Sequence, residues 1–260
     1  MKTLQAATLL CALSLSNGVV SAQLEPNQCA DYRGKLGDNS EFGDLSKIGM
    51  SLFVADKDLN GTYFHEERLK DISLAGSYES DRDINLVEFD SSGKANGTFK
   101  LRFVESDPSR KSDRPLTGDV LKGTWTHGPG HRTFPVFLSL VAMRPGKCLP
   151  RYHVAGASDD EIVERNIQAF YFAVLKRQKS IAAEYVSYPA TFQLAGKRRK
   201  LANVTDFLQY YDRLFTKKFV ARIAEGVPHN MFANSRGVMI ADGAVWFNEF
   251  GKAIAFNNAP

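Results

Sequence analysis

The sequence predicts an all-β antiparallel meander, closed as a sandwich or a small barrel, followed by a unit that mixes helices and strands. Turn-forming residues recur about every 8–15 residues through the first half, which is typical of short antiparallel strands. From residue 158 onward the apolar residues follow helical spacing instead. These patterns predict four segments: a signal peptide at 1–22, a β-rich domain at 23–150, a linker at 151–157 and an α+β domain at 158–260.

The first 22 residues have the composition of a secretory signal. Lys2 supplies a positive charge, residues 9–15 form an apolar stretch, and small residues at 20–22 precede the expected cleavage site. The alternative, a membrane anchor, is disfavoured because this stretch is too short to cross about 30 Å of hydrocarbon. We therefore expect a secreted or periplasmic protein with no membrane span.

Charge and cysteine content narrow the class further. The net charge of +4 is too small to indicate nucleic-acid binding. Two cysteines remain after the predicted cleavage, and in an oxidising compartment they are expected to form one disulfide, Cys29–Cys148. Two separate buried thiols are the alternative. Because Cys29 precedes the first predicted strand and Cys148 follows the last, the bond would join the two ends of the β-rich domain.

The first half contains seven predicted strands, at 48–55, 61–65, 71–77, 84–90, 95–105, 119–125 and 134–143. A Gly-Thr-aromatic triplet recurs in it, ending at Tyr63, Phe99 and Trp125. We interpret the triplet as a strand start whose aromatic ring packs in the core or against a neighbouring strand. The alternative is a row of exposed rings that binds glycans or peptides.

Helix signals begin the second half. Ser158 and Glu161 form a capping box, which predicts a long helix to about Glu184. A hairpin is expected to turn at 195–196, Asn203 is expected to cap a second helix, and a third is predicted at 217–225. Four strands close the chain, at 231–234, 237–240, 244–248 and 253–257.

This order of elements, together with Tyr188-Pro189, Phe207, Tyr211-Asp212 and the stretch from Gly237 to Phe247, resembles small secreted bacterial NTF2-like domains of the SnoaL and ketosteroid-isomerase type. The resemblance implies an α+β cone with a pocket between the sheet and the long helix. The residues that would line this ligand pocket are Tyr171, Tyr185, Tyr188, Tyr211, Asp212, Trp246 and Glu249. A homodimer through the open NTF2-like sheet is the assembly expected if the protein is a structural module of the cell envelope.

Few residues suggest chemistry. The chain has no Gly-x-Ser-x-Gly elbow, no His-Glu-x-x-His and no phosphate-binding glycine loop, so no catalytic residue is predicted. His127 and His131 flank a Gly-Pro-Gly turn without further ligands at suitable spacing, so neither a metal nor a cofactor is predicted. The densest charge is a basic patch, Lys197-Arg198-Arg199-Lys200, which would suit an acidic partner or anionic surface, or simply remain solvated.

Three hypotheses follow. The leading one is an exported, non-enzymatic binding protein for a protein, a glycan or a small apolar ligand, such as an inhibitor or immunity-type factor. The second is a cofactor-free enzyme with acid–base chemistry in the NTF2-like pocket. The third is a structural module of the cell envelope. The volume and lining of that pocket would distinguish them.

Overall fold

The computed structural model describes residues 24, 26–37, 46–55, 58–104, 119–128, 132–194 and 196–258. The predicted signal peptide at 1–22 and His131 lie outside the described residues. No helix in the described ranges is long and apolar enough to cross a membrane.

The first half is a closed antiparallel barrel of eight strands, so the barrel rather than the sandwich is formed. Each strand pairs with its neighbour in sequence, and the first pairs with the last. The strands are β1 Gln28–Leu36, β2 Ser46–Ala55, β3 Asp58–His65, β4 Ile72–Tyr78, β5 Asp83–Phe89, β6 Ala95–Val104, β7 Val120–His127 and β8 Arg132–Pro145.

Strand β1 was not predicted, and it closes the barrel. Its inward positions include Ala30 and Gly34, which give a weak hydrophobic signal. Gly34 is needed where it stands, because an added Cβ would lie 1.9 Å from the carbonyl oxygen of Phe137 on β8. The expectation that Cys29 precedes the first strand is therefore wrong, since Cys29 lies within β1.

The Cys29–Cys148 disulfide is formed, with the two Cα atoms 5.0 Å apart. Cys148 follows β8, and β1 pairs with β8 from Gln28 opposite Pro145 onward. The bond therefore joins the two ends of the barrel, as predicted.

Two kinds of strand make the barrel wall. On β5 the inward residues Ile84, Leu86 and Glu88 are buried, whereas the residues between them are half-buried. On β2 both faces are buried, with Leu52 in the barrel core and Ser51 under the second half of the chain. The second half therefore packs on the outer face of the wall near β2.

The second half is an α+β unit. Its helices are α1 Asp160–Leu175, α2 Lys179–Glu184, α3 Val204–Leu214 and α4 Lys217–Ala224. Its strands are β9 Val186–Leu194, β10 Lys197–Leu201, β11 Phe232–Asn234, β12 Gly237–Ile240, β13 Val245–Phe247 and β14 Ala253–Phe256. The sheet order is β10-β9-β14-β13-β12-β11, and it is mixed because β14 and β9 are parallel. The NTF2-like cone stays a prediction.

The single helix predicted from Ser158 to Glu184 is wrong in extent. The chain leaves α1 through Arg177, whose φ of +57° is left-handed, and α2 then begins at Lys179. Residues 176–179 are all polar, so no apolar side chain anchors this turn to the core. At the other end Asp159, not Ser158, caps the helix by accepting hydrogen bonds from the Glu161 and Ile162 amides. The Asn203 cap of α3 is confirmed.

Candidate functional site

A pocket of about 800 Å³ lies at one end of the barrel, where β3, β5 and β7 end and β4, β6 and β8 begin. We call it the barrel-mouth pocket. Its lining includes the following residues: Tyr63, Arg68, Lys70, Asp71, Glu88, Asp90, Asn96, Trp125, His127, Arg132 and Phe134. This volume is within the usual range for small-molecule sites.

A buried carboxylate fixes the bottom of the pocket. Glu88 is only 3% exposed. Its Oε2 accepts hydrogen bonds from the Tyr63 hydroxyl and from Trp125 Nε1, both at 2.8 Å, and its Oε1 accepts one from Asn96 Nδ2 at 3.0 Å. Burial, and then the neighbouring carboxylate, raise the pKa of Tyr63, so its hydroxyl remains a donor.

Two of the three Gly-Thr-aromatic triplets contribute rings to the pocket, Tyr63 and Trp125. Tyr63 and Phe99 are buried, with ring centroids 5.0 Å apart, whereas Trp125 is half-buried and lines the pocket. The Trp125 ring lies 5.3 Å from His127 and 5.8 Å from Phe134, each tilted by 36°. All three rings pack against neighbouring rings, and Tyr63 and Trp125 also line the cavity.

The glycine of the second triplet explains this geometry. A Cβ added at Gly97 would lie 2.8 Å from Trp125 Nε1 and 2.9 Å from Glu88 Oε2. A side chain at this position would therefore displace either the indole or the carboxylate. Gly97 thus allows the hydrogen bond that fixes the Trp125 ring plane.

The pocket carries positive charge at its edge. Arg68, Lys70 and Arg132 are exposed, and within the described residues none forms an ion pair with a carboxylate. The carboxylates nearby are already engaged. Asp71 contacts Arg151 and His229, and Asp90 accepts hydrogen bonds from Ser92 and the Lys94 amide.

A second polar cluster joins the barrel to the α+β unit. We call it the joint network: Asp31, Ser51, Asp71, Arg151, Glu164, His229 and Asn230. Arg151, in the segment predicted as a linker, is 6% exposed. Its Nη2 donates to Asp71 Oδ1 at 2.7 Å, and its Nη1 lies 3.7 Å from Glu164 Oε1.

His229 lies between two carboxylates within this network. Its Nε2 is 3.1 Å from Asp71 Oδ1, and its Nδ1 is 2.6 Å from Glu164 Oε2. The second contact is a close ion pair whose N–H is not aligned for a hydrogen bond. Burial disfavours the charged ring, but the contacts with Asp71 and Glu164 outweigh it and raise the pKa of His229.

The two carboxylates respond in the opposite direction. Burial alone would raise the pKa of Asp71 and of Glu164, but His229 and Arg151 reverse the effect and hold both pKa values below their ordinary ones. Asp71 also lines the barrel-mouth pocket. The pocket and the joint network therefore share one residue.

No protein-family model matches the chain, and no curated protein is significantly similar to it. The site must therefore be interpreted from its own geometry.

The residues predicted to line an NTF2-like pocket are spread over the second half. The Tyr171 hydroxyl donates to the Ala224 carbonyl, and the Tyr188 hydroxyl, whose pKa burial raises to about 12, donates to the Ala183 carbonyl. Tyr211 is buried, whereas Asp212 is exposed and pairs with Lys179.

The other three candidates are half-buried: Tyr185, Trp246 and Glu249. Trp246 lines a hollow of about 490 Å³ on the sheet together with Arg198 and Arg236. Between helices and sheet, rings fill the core, with Phe170, Phe207, Phe215 and Phe256 all 1% exposed or less. That these residues bind a ligand stays a prediction.

The basic patch, residues 197–200, forms most of β10, and all four side chains are exposed. Because β10 is an edge strand of the second sheet, positive charge there also discourages pairing with the edge of another sheet. Among the described residues, no group of three or more His, Cys, Asp or Glu side chains could hold a metal ion.

Sequence reasoning missed Glu88 at the barrel mouth and Arg151 and His229 in the joint network. Glu88 had a detectable signal, since it continues the inward alternation of Ile84 and Leu86 and places a carboxylate where an apolar residue is expected. Arg151 and His229 had none, because their partners lie far away in the sequence.

Proposed function

We propose that this protein is an exported, non-enzymatic binding protein whose ligand occupies the barrel-mouth pocket. The observation that carries the proposal is the Trp125 ring, held by the buried Glu88 carboxylate so that it lines a pocket of about 800 Å³. A ring that is already fixed loses little conformational freedom when a ligand stacks on it, which favours affinity.

The filled core of the second half supports binding over catalysis there. Acid–base chemistry in an NTF2-like pocket needs a cavity with a tyrosine and a carboxylate in reach of a substrate. Phe170, Phe207 and Phe215 occupy the space between the helices and the sheet, and Asp212 points to solvent. The enzyme and the structural-module hypotheses are therefore second to the binding hypothesis.

The test is a ligand screen by thermal shift on the full chain, using sugars, aromatic acids, acyl chains and short peptides. We expect a stabilising compound whose effect is lost in Phe134→Ala, and whose mass is unchanged after incubation. Arg236→Gln, on the second sheet, is the matched control and should respond like the original chain. Stabilisation that is insensitive to Phe134→Ala, or turnover of the compound, would contradict the proposal.

We also propose that the second half is an NTF2-like domain that dimerises through its sheet. The helix and strand order supports the first part. A cross-strand row on the face opposite the phenylalanine core supports the second: Thr191, Ala255, Trp246, Met239 and Phe232, of which Phe232 is 49% exposed. Light scattering should give a dimer mass that Trp246→Glu reduces to a monomer. A monomer at every concentration would contradict dimerisation.

A further inference from the structure

The base of the barrel-mouth pocket carries the aromatic rings of Tyr63 and Trp125, whose polar groups are already engaged. The strongest donors there, the Tyr63 hydroxyl and the Trp125 N–H, are already used by Glu88. The ligand is therefore met by the planes of Trp125 and its neighbours. Offset stacking of a flat, apolar ring is the favourable contact for such a wall.

The barrel core limits how deep a ligand can go. Phe99 lies against both Tyr63 and Trp125, and Leu86, Leu101 and Leu138 fill the interior, with exposures of 2% or less. Among the described residues, these side chains leave no channel along the barrel axis for a long acyl chain. The occupant therefore lies in the mouth of the barrel rather than in its interior.

The edge of the pocket favours a negative charge on that ligand. Arg68, Lys70 and Arg132 form no ion pair among the described residues. Of the acidic lining residues, Asp71 already pairs with Arg151 and His229. Asp90 and Glu88 accept hydrogen bonds from neutral donors. Guanidinium and ammonium groups at the mouth would pair with a carboxylate, sulfonate or phosphate carried by the ring.

We propose that the barrel-mouth pocket binds compact aromatic anions, with the ring stacked on Trp125 and the anionic group held by Arg68, Lys70 and Arg132. This inference rests on the proposed function and adds the ligand class. A neutral ring of the same shape would make the stacking contact without the ion pairs.

The experiment compares two fluorescent probes that differ by one sulfonate: 8-anilinonaphthalene-1-sulfonate and its neutral counterpart N-phenyl-1-naphthylamine. The full chain carries Trp246→Phe, which leaves Trp125 as the sole tryptophan. Energy transfer from Trp125 to the probe then reports binding near the pocket. The rim variant is Arg68→Gln with Lys70→Gln and Arg132→Gln. The matched control removes three charges from β10, by Lys197→Gln, Arg198→Gln and Arg199→Gln.

We expect the sulfonate probe to bind more tightly than the neutral one. The rim variant should weaken the sulfonate probe by about tenfold and the neutral probe by less than about twofold, since exposed ion pairs contribute modestly and add up. The β10 variant should change neither. Phe134→Ala should weaken both probes.

The outcomes separate the two proposals. Equal affinity for both probes, with no effect of the rim variant and a clear effect of Phe134→Ala, would overturn the anion preference and leave the pocket as a binding site. No energy transfer with either probe, or transfer that Phe134→Ala does not change, would overturn the pocket itself and the anion preference with it.

Discussion

Replacing Arg151 by methionine tests the joint network most directly. The substitution keeps a long side chain but removes the guanidinium that contacts Asp71, Asn230 and Glu164. Two carboxylates are then left with His229 as their main cationic partner. Removing one member of a buried ion pair costs about 3–5 kcal/mol. We take about 3 kcal/mol, because the Asp71 side chain is 28% exposed and water can compensate in part.

This cost is measurable by urea unfolding, followed by circular dichroism and tryptophan fluorescence. With an m-value of about 2.5 kcal/mol/M, the unfolding midpoint should fall by about 1.2 M. The matched control is Arg102→Met, which removes the Asp83 ion pair on the outside of the barrel and should leave the midpoint unchanged within error. A midpoint shift as small as that of Arg102→Met would refute the view that the joint network stabilises the packing of the two halves.

Four further results are expected. Because the pKa of His229 is raised, the stability that its protonated ring contributes is complete below the ordinary pKa of 6.5 and is lost as pH rises through the raised pKa. The urea midpoint should therefore fall as pH rises, and His229→Gln should remove this fall. The lowered pKa values of Asp71 and Glu164 have the opposite effect. The stability that these two carboxylates contribute is complete above their ordinary pKa values and is lost as pH falls from there through the lowered ones. A urea midpoint that is unchanged from neutral to strongly acidic pH would contradict this. Cys148→Ser leaves the 119-residue loop unclosed and should lower the free energy of unfolding by about 4–5 kcal/mol. Calorimetry of the reduced original chain should show the same loss, because that chain lacks the disulfide as well. Gly34→Ala should cost at least about 1–3 kcal/mol from overpacking between β1 and β8, and a neutral effect on the melting temperature would show that the barrel adjusts freely.

Much of the barrel follows from turn chemistry and alternation. Seven of its strands overlap the predicted ranges, because turns such as the one at Asp90–Gly93 separate runs of alternating burial. Strand β1 was missed because two of its inward residues, Ala30 and Gly34, are small and contribute little apolar signal to the alternation. Closure is a global property: β1 gains its place only by pairing with both β2 and β8.

The site was less accessible to prediction for the same reason. Trp125 was singled out through its triplet, but its partner Glu88 lies 37 residues away in the sequence. Asn230 donates to Asp31 across 199 residues. Local patterns do not encode such pairs, because they depend on which outer face of the barrel the second half covers. The left-handed turn at Arg177 likewise interrupted a helix whose apolar spacing continued to Ile181.

The covalent link at the base of the barrel has a mechanical consequence. A pulling force applied between the residues before Cys29 and the α+β unit passes through the sulfur–sulfur bond to Cys148. The stretch from Cys29 to Cys148, a sequence separation of 119, contains all of the barrel strands except Gln28 of β1 and lies outside this load path. The barrel is thus shielded from tension along the chain, whereas the α+β unit would bear it and be the part that yields first.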